Sequence, residues 1–431
     1  MEFQEHLKKY LKDEEIDKLM NSLTEKEKKS IIVNTNKIDD SFLLNYFPHL
    51  KKHPLVPHCY LYDEDEYQLG KHLFFEQGLY YIFEPCSSLV NYLLDPKEDD
   101  IVLDLCAAPG GKTTHLSLLK KNQGIIVSNE ISKERALVLS SNVERMGLRN
   151  VVVTNNNIDD FKYFESSFDK IILDAPCSGS GMFRKSEKMK EDWSYSKVIS
   201  LSSLQKELII KAYSLLKPGG ALVYSTCSFS YEEDEEVIKY LLENTNARLS
   251  SYQDSPYFFH SQENIGIHLL PFIFPGEGHY ICKIEKPINE NSLIINNKKI
   301  INNPKYEKVK SLCEVDGYIY SFDNIYYLIP HYFDFKNLRV LRGGLKLGTL
   351  EKYGFEFDHA LSHYLTNFSK EIELSKEQAL SYIEGNSLNI NIREGITLVK
   401  YLDQPIGFAK SIKGRINNKY PKGLRKKLDL A

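Results

Sequence analysis

The sequence lacks the arrangements that would place a protein in an oxidising compartment or in a membrane. Its 7 cysteines are scattered and include no Cys-x-x-Cys pair, which excludes a disulfide framework and a zinc site of ordinary spacing. No apolar run is long enough to span a bilayer, and the N-terminus lacks the basic and then apolar pattern of a signal peptide. We therefore expect a cytoplasmic protein without a metal and without a membrane partner.

The sequence also lacks an overall excess of positive charge. The 55 Lys and Arg residues against 59 Asp and Glu residues give a formal net charge of -4, so any polyanion must be held by a local basic patch. One basic patch near the C-terminus contains no acidic residue and consists of Lys410, Lys413, Arg415, Lys419, Lys422, Arg425, Lys426 and Lys427. Composition alone leaves two interpretations open, a solvated face and an RNA-contacting surface.

The 431 residues divide into three regions by pattern. Residues 1–95 combine an amphipathic helical pattern with short β-rich pieces, which predicts a small α+β domain. Residues 96–287 alternate apolar strands with helices, which predicts an α/β domain built on a parallel sheet. Residues 288–431 begin with a polar stretch rich in Asn and Lys, expected to be a linker or hairpin over 289–303, and continue with short aromatic-rich strands.

The middle region has the clearest alternation of elements. Its apolar runs predict strands at 101–106, 124–129, 150–154, 169–174 and 221–226, and helices at 112–121, 132–146 and 197–216. Gly147 is expected to stop the second of these helices, and Pro218-Gly-Gly the third. Because ligands of such folds bind at the carboxyl ends of the strands, the residues that follow each strand are the candidates for function.

The first of these strands runs directly into a glycine loop, Asp104-Leu-Cys-Ala-Ala-Pro-Gly-Gly-Lys-Thr113. Glycines let the main chain approach a ligand closely, and the helix that follows offers free N–H groups. A phosphate-binding P-loop would need glycine where Cys106 stands, and a dinucleotide fingerprint is absent because Gly110 and Gly111 are adjacent. Glu130 ends the next strand, where an acid can bind ribose hydroxyls. A ribose-bearing ligand fits best, with S-adenosylmethionine ahead of a nicotinamide dinucleotide; a glycine turn beside a solvated glutamate is the remaining alternative.

Two cysteines lie just beyond the ends of two predicted strands. Cys177 follows the strand that ends at Asp174, and Cys227 follows the strand at 221–226. Free cysteines are usually small buried hydrophobes, but polar and turn-forming neighbours such as Pro176 favour thiols that lie outside the core. Two thiols at neighbouring strand ends suggest covalent chemistry.

Three motifs, in this order and spacing, resemble the Nop/Sun family of RNA cytosine-5 methyltransferases. They are the glycine loop, Asp174-Ala-Pro-Cys-Ser-Gly-Ser-Gly181 and Tyr224-Ser-Thr-Cys-Ser228. Further matches to the bacterial RsmF branch of that family are Met182-Phe-Arg-Lys185, Gly276-Glu-Gly-His-Tyr280, Pro405-Ile-Gly-Phe-Ala-Lys410 and Tyr420-Pro-Lys-Gly-Leu-Arg425. The resemblance covers nearly the whole chain. It implies a Rossmann-like S-adenosylmethionine-dependent methyltransferase domain over 96–287, preceded by an RRM-like α+β domain and followed by an RNA-binding region that includes a PUA-like domain.

The resemblance also implies which residues form the site. The cofactor S-adenosylmethionine would be bound by Cys106, Ala107, Ala108, Pro109, Gly110, Gly111, Lys112, Glu130, Arg135, Asn157 and Asp174. Asn157 stands where the family commonly has an aspartate near the adenine, and Phe83 stands where a glutamine is common. The implied catalytic residues are Cys227 as nucleophile, Cys177 for product release, Asp174 on the cytosine ring, and Lys112 to place that carboxylate or the base.

The function implied by the resemblance is methyl transfer to carbon 5 of cytosine in small-subunit (16S) ribosomal RNA, through a covalent cysteine adduct. The implied partner is ribosomal RNA or the small subunit, and we expect a monomer. The same chemistry on transfer RNA, or on DNA, remains an alternative, although DNA enzymes take their nucleophile from a Pro-Cys motif like Pro176-Cys177. A non-catalytic ribosome-assembly factor is a further alternative. Without function, Asp174 would cap a turn and Lys112 would begin a solvated helix.

A run of acidic residues, Glu232-Glu-Asp-Glu-Glu236, follows Cys227. It is expected to begin a helix and to complement the helix dipole there. We assign it no catalytic role from the sequence.

Overall fold

The computed structural model describes residues 2–185, 187–261, 263–288, 304–335, 337–352 and 354–428. The linker or hairpin predicted at 289–303 lies outside the described residues. Within the described ranges, the strands form one nine-stranded sheet and three four-stranded sheets. No described helix has the length and apolar character needed to cross a membrane.

The N-terminal region forms a small α+β unit. Its elements are α1 (Phe3–Leu7), α2 (Asp13–Ser22), β1 (Lys29–Val33), α3 (Asp40–Tyr46), β2 (Lys51–Lys52), β3 (Cys59–Tyr62), α4 (Leu73–Glu76) and β4 (Tyr80–Phe83). The antiparallel sheet has the order β2-β3-β1-β4, and the chain order from β1 is the βαββαβ arrangement of ferredoxin-like domains. The amphipathic pattern before β1 is divided between two helices, because Tyr10 and Leu11 between them pack into the core.

The middle region builds the central sheet. Helix α5 (Pro85–Leu94), from the end of the first region, packs against this sheet. The elements of the middle region are β5 (Ile101–Asp104), α6 (Gly111–Leu119), β6 (Ile125–Asn129), α7 (Lys133–Met146), β7 (Val151–Thr154), β8 (Phe168–Asp174), α8 (Glu187–Glu191), α9 (Tyr195–Leu215), β9 (Leu216–Thr226), α10 (Glu235–Asn244), β10 (Arg248–Leu249), β11 (Ile267–Leu269) and β12 (His279–Glu285). The α/β class expected from the sequence is therefore confirmed.

The strand order of the central sheet creates one reversal point. The order is β10-β12-β9-β8-β5-β6-β7-β15, with β11 paired to β12, and the five strands from β9 to β7 are parallel. The chain leaves β5 toward β6 and β7 and then returns to β8 on the other side of β5. Leu103 pairs with Ile171 on one side and with Val127 on the other, and all three are fully buried. Ligands of doubly wound folds bind at such a switch point, here between β5 and β8.

The predicted middle-region elements appear with small shifts and one larger difference. Helix α7 ends at Gly147, which has φ +69° as expected for a C-terminal glycine. The helix predicted at 197–216 is α9 (Tyr195–Leu215), and the larger difference is that β9 begins at Leu216 rather than at 221. The reason is that Leu216 adopts an extended conformation and pairs with Phe168, so the segment with Pro218 belongs to the strand. In addition, Lys217 stands directly before Pro218, and the residue before a proline avoids the helical conformation for steric reasons.

The C-terminal region contains two further sheets. Its elements are α11 (Pro304–Cys313), β13 (Tyr318–Phe322), β14 (Ile325–Ile329), β15 (Val340–Gly343), β16 (Leu345–Glu351), β17 (Gly354–Phe357), α12 (His359–Tyr364), β18 (Glu371–Glu373), α13 (Lys376–Ile383), β19 (Gly395–Tyr401), β20 (Gln404–Ile412) and β21 (Arg415–Asn418). The sheets have the orders β13-β14-β16-β17 and β18-β19-β20-β21. Strand β15 leaves this region and pairs antiparallel with β7 of the central sheet.

Candidate active site

The glycine loop between β5 and α6 is held in place by hydrogen bonds to its backbone atoms. The Ala107 N–H donates to the Asn129 carbonyl at 2.9 Å, and the Ala108 carbonyl accepts from Arg135 Nη2 at 2.8 Å. Gly110 has φ +114°, a conformation that side chains rarely adopt, and an added Cβ would lie 2.9 Å from Leu139. The loop therefore presents Gly110 and the N-terminus of α6 at the switch point with little side chain in the way.

Glu130 is buried at the end of β6 and is only partly bonded. The side chain is 2% exposed, and its Oε1 accepts from the Ser132 N–H at 3.0 Å. Its Oε2 forms no hydrogen bond with the described residues, although Arg135 Nη1 lies 3.2 Å away. A buried carboxylate oxygen without a hydrogen bond is costly. The site thus fits a ligand that offers hydroxyl donors, such as a ribose.

Asp104, which the sequence analysis did not assign to the site, shows the same pattern. It is fully buried at the end of β5, and its Oδ2 accepts from Thr113 Oγ1 at 2.7 Å. Its Oδ1 has no hydrogen-bond partner among the described residues. Burial raises the pKa of Asp104 to about 7. Its position at the start of the glycine motif was the signal that could have identified it.

Asn157 and Phe83, the two departures from the family pattern, lie at different depths. Asn157 is exposed beyond β7, and its side chain accepts from the Asp159 N–H at the start of a 3-10 helix. Phe83 ends β4 of the N-terminal sheet and packs beside Gly111, where an added Cβ would lie 3.5 Å from its side chain. The structure therefore brings Phe83 against the glycine loop, whereas Asn157 stays a predicted contact.

The two thiols meet beyond the ends of β8 and β9. Cys177 Sγ and Cys227 Sγ lie 3.1 Å apart, and both residues are half-buried. The Gly181 N–H donates to the Cys227 carbonyl at 2.8 Å, and an added Cβ on Gly181 would lie 2.9 Å from that same oxygen. The hydrogen bond with Cys227 and burial raise the pKa of the Cys177 thiol well above its usual range. Cys177 therefore keeps its proton at neutral pH.

Asp174 lies beside the thiols and is bonded through both oxygens. Lys112 Nζ donates to Oδ2 at 2.8 Å, and the Ser225 hydroxyl donates to Oδ1 at 2.8 Å. His279 Nε2 lies 3.5 Å from Oδ1. Burial alone would raise the pKa of Asp174, but the Lys112 ammonium and His279 hold this pKa well below its usual range. In return, Asp174 overcomes the opposing effect of burial and raises the pKa of Lys112.

The acidic run after Cys227 begins a helix as expected, because α10 starts at Glu235 inside it. The structure adds that Glu233, Asp234 and Glu235 are fully buried. Asp234 Oδ1 accepts from the Thr226 hydroxyl at 2.6 Å, and burial raises the pKa of Asp234 well above its usual range. The burial is tertiary: Glu233 packs under the two cysteine loops, where both of its oxygens accept hydrogen bonds.

One group of described residues has the composition of a metal site. Asp234, Glu235 and His268 place possible ligand atoms within 4.8 Å of one another. His268 Nε2 lies 2.9 Å from Glu235 Oε1, and this direct contact accounts for their closeness.

Three residues beside the candidate catalytic groups were not assigned to the site from the sequence. Ser225 and His279 contact Asp174, and Glu233 contacts the loops of both cysteines. Ser225 and His279 stand inside motifs quoted for the resemblance, so their presence was visible but their roles were not. Their contacts depend on the pairing of β8 with β9 and of β9 with β12, which is long-range information.

Two solved structures share the fold. A methyltransferase homologue protein from Pyrococcus horikoshii is 30% identical, with a TM-score of 0.59 over 65% of this chain and 93% of the other. NSun6 from the same organism is 24% identical, with a TM-score of 0.60 over 67% of this chain and 98% of the other. The fold is that of the Rossmann-like S-adenosylmethionine-dependent methyltransferases.

Comparisons along the whole chain give the particular family. Models of the N-terminal domain of 16S rRNA methyltransferase RsmF, of 16S rRNA methyltransferase RsmB/F and of the methyltransferase RsmF PUA domain match residues 1–85, 91–285 and 369–426. A ribosomal RNA small subunit methyltransferase F from Shewanella sp. (strain MR-7) is 34% identical over 93% of this chain and 91% of its own. One from Vibrio vulnificus (strain YJ016) is 33% identical over 92% and 91%. The chain belongs to the RsmB/F family of 16S rRNA methyltransferases, in its RsmF branch, which confirms the resemblance drawn from the motifs.

Proposed function

We propose that this protein transfers a methyl group from S-adenosylmethionine to carbon 5 of a cytosine in small-subunit ribosomal RNA, through a covalent bond between Cys227 and carbon 6. The observation that carries this proposal is the pair of sulfur atoms 3.1 Å apart beside the ion pair of Asp174 and Lys112. The names of the relatives, which specify small-subunit ribosomal RNA, support the choice of substrate.

The chemistry of cytosine explains the need for a nucleophile. Carbon 5 is too electron-poor to accept a methyl group directly, and a thiolate that adds to carbon 6 makes carbon 5 enamine-like. Cys227 forms the bond to carbon 6. As the thiolate adds, ring N3 takes up the proton that the Cys227 thiol has lost, and the Asp174 carboxylate accepts hydrogen bonds from that N3–H and from the exocyclic amine. Lys112, 2.8 Å from Asp174, holds that carboxylate in place.

Product release requires a second group. After methylation, the proton on carbon 5 must leave, and then the bond between Cys227 and carbon 6 must break. Cys177 lies 3.1 Å from the sulfur that would carry the adduct. We assign the assistance of this step to Cys177, whose raised pKa keeps it protonated until release. As the bond between Cys227 and carbon 6 breaks, Cys177 donates its proton to the departing Cys227 sulfur, and the Cys177 thiolate so formed takes up the carbon-5 proton.

S-adenosylmethionine supplies the methyl group when it is bound. Glu130, with an open buried oxygen, would hold the ribose hydroxyls, and the backbone from 106 to 112 would surround the ribose and methionine parts. Asp104 adds a second open acceptor beside that loop. Arg135 and Asn157 remain predicted contacts of the cofactor.

Separate substitution of the two cysteines tests the covalent mechanism. With Cys227→Ala, methyl transfer should fall to background and no RNA adduct should form. With Cys177→Ala, addition and methylation continue but release slows, so an RNA complex that survives denaturing electrophoresis should accumulate. Cys313→Ala, at a buried cysteine of α11, serves as the control and should behave as wild type. An adduct that forms in Cys227→Ala and vanishes in Cys177→Ala would reverse the two roles.

Mapping of 5-methylcytosine by bisulfite sequencing tests the substrate. Ribosomal and transfer RNA from cells with and without the gene should differ at a cytosine of the small-subunit RNA. Loss of methylation in transfer RNA instead would favour the alternative substrate, and no change in either RNA, together with an inactive purified protein, would favour the assembly factor.

The basic patch gives a further test of RNA binding, and the structure shows which of its residues to change. Seven of its eight residues are exposed, whereas Arg425 is half-buried and donates to the Tyr420 carbonyl. Lys426 pairs with Glu76 at 2.6 Å, and Lys419 pairs with Glu356. Charge reversal is therefore cleanest at the other five positions, Lys410, Lys413, Arg415, Lys422 and Lys427.

Reversal of those five charges should weaken RNA binding and flatten its dependence on salt. For every phosphate that the variant no longer neutralises, the slope of log affinity against log salt should become shallower by about 0.7 to 0.9. S-adenosylmethionine affinity, measured by calorimetry, serves as the control and should not change. An equally tight and equally salt-sensitive RNA complex would show that the phosphate-binding surface lies elsewhere.

A further inference from the structure

Glu233 is fully buried between the two loops that carry the thiols. Its Oε1 accepts from the Ser178 N–H at 2.8 Å, and its Oε2 accepts from the hydroxyls of Ser178 at 2.5 Å and Ser228 at 2.6 Å. Ser178 directly follows Cys177, and Ser228 directly follows Cys227. One carboxyl group therefore holds the residue next to each thiol.

The partners that surround Glu233 are themselves fixed. Gln205 of α9 donates to Glu233 Oε1 at 3.1 Å and to the Pro176 carbonyl at 2.8 Å. The Tyr224 hydroxyl, from β9, donates to the Glu233 backbone carbonyl at 2.6 Å. The Glu233 side chain is thus held from α9 and from both loops, and its backbone is held from β9.

Neighbouring acids in the same run bond elsewhere. Asp234 accepts from Thr226, and Glu236 pairs with Lys206 near the surface at 2.7 Å. In the part of the chain that the structure describes, Glu233 is the one acidic side chain hydrogen-bonded to both cysteine loops. A buried carboxyl group needs hydrogen-bond donors, but it could take all of them from one loop. Glu233 takes them from two loops that follow separate strands.

We propose that Glu233 is a positioning residue that clamps the two cysteine loops together and so sets the distance between Cys177 and Cys227. Its effect on catalysis rests on the proposed function, in which both sulfurs must reach the same cytosine ring. Geometry matters steeply in such a step, because a displacement of 1 Å can cost on the order of 100-fold in rate.

The first measurement needs no RNA. Diamide oxidises two thiols to a disulfide and takes up two electrons and two protons to become the corresponding hydrazine. We expect Glu233→Ala to slow formation of the Cys177–Cys227 disulfide by at least about tenfold in the full chain, measured by peptide mass spectrometry. Glu233→Gln keeps an acceptor for the Ser178 N–H and a polar group for both hydroxyls, so it should restore most of the wild-type rate.

The second measurement is steady-state methylation. In Glu233→Ala we expect kcat to fall by about 10- to 100-fold, with KM for S-adenosylmethionine within about twofold, because the clamp does not touch the cofactor residues. Glu233→Gln should recover most of kcat. Glu236→Ala, which removes a charge from the same run without contacting either cysteine loop, is the matched control and should equal wild type in both measurements.

The outcomes separate the clamp from the proposed function. If Glu233→Ala does not fold, as judged by circular dichroism, the double variant Ser178→Ala/Ser228→Ala removes both hydroxyl bonds and should show the same slowing. An unchanged disulfide rate in a folded variant would overturn the clamp. Slow disulfide formation in the variant, combined with a wild type that methylates no cytosine, would support the clamp and refute the proposed function.

Discussion

The cofactor side and the thiol side of the proposed site lie at one edge of the same sheet, but Glu130 and Asp104 on the first side are bonded differently from Asp174 and Glu233 on the second. On the cofactor side, Glu130 and Asp104 each keep one oxygen without a hydrogen bond to the described residues. On the thiol side, both oxygens of Asp174 and both oxygens of Glu233 accept hydrogen bonds from the protein. In the proposed function, the oxygens without a hydrogen bond would accept donors from the cofactor, and the fully bonded acids would fix the reacting groups before the substrate binds.

The largest effect on the rate of methyl transfer is expected from a substitution on the thiol side. Asp174→Ala should lower the rate of methyl transfer by about 10²- to 10⁴-fold, because the variant loses the group on ring N3 and leaves Lys112 without its partner. Single-turnover methylation at saturating cofactor is the measurement. S-adenosylmethionine affinity should change far less than the rate. If affinity and rate fell together, Asp174 would belong mainly to the cofactor side.

A smaller effect is expected from the cofactor side. Glu130→Ala should weaken S-adenosylmethionine binding by about 1 to 3 kcal/mol, which is about 5- to 150-fold, because hydrogen bonds to a charged group are lost. Calorimetry measures this change directly. Glu134→Ala, at an exposed acid of the neighbouring helix, is the control. Unchanged affinity in a folded Glu130→Ala protein would remove this residue from the site.

The smallest effect sharpens the boundary of the cofactor side. The Ser132 hydroxyl caps α7 by accepting from the Arg135 N–H, whereas its own backbone N–H donates to Glu130. Ser132→Ala removes only the cap, so it should cost about 1 kcal/mol of unfolding free energy, measured by urea denaturation. Cofactor affinity should stay within about twofold of wild type. A loss as large as that of Glu130→Ala would mean that the cap itself orients the acid.

Local pattern predicted much of the fold because the parallel strands are continuous apolar runs with glycine or polar residues after them. The ends of β5, β6 and β8 could thus be placed at Asp104, Glu130 and Asp174 to within a few residues. The start of β9 could not, because Leu216 already pairs with Phe168 in another strand, ahead of the predicted start at 221. A periodic pattern does not contain that competing pairing.

The site shows the same division between local and long-range information. The candidate residues Lys112, Asp174, Cys177 and Cys227 stand in motifs, and the structure brings them into one cluster. The roles of Glu233 and His279 depend on which strands and loops become neighbours. A charged run such as 232–236 indicates a helix start in sequence, and only the tertiary packing shows that its first four acids are buried.

The pairing of β15 with β7 has a consequence for how the chain is made. Strand β7, with Val151, Val152 and Val153 fully buried, is synthesised long before its partner at Val340–Gly343. At about 5 to 20 residues per second, the ribosome leaves this strand as an open edge for roughly 10 to 40 s. An open apolar edge invites pairing with another chain. Fragments that end before β15 should therefore aggregate more readily than the full chain, because the C-terminal region covers this edge of the central sheet only once β15 has been synthesised.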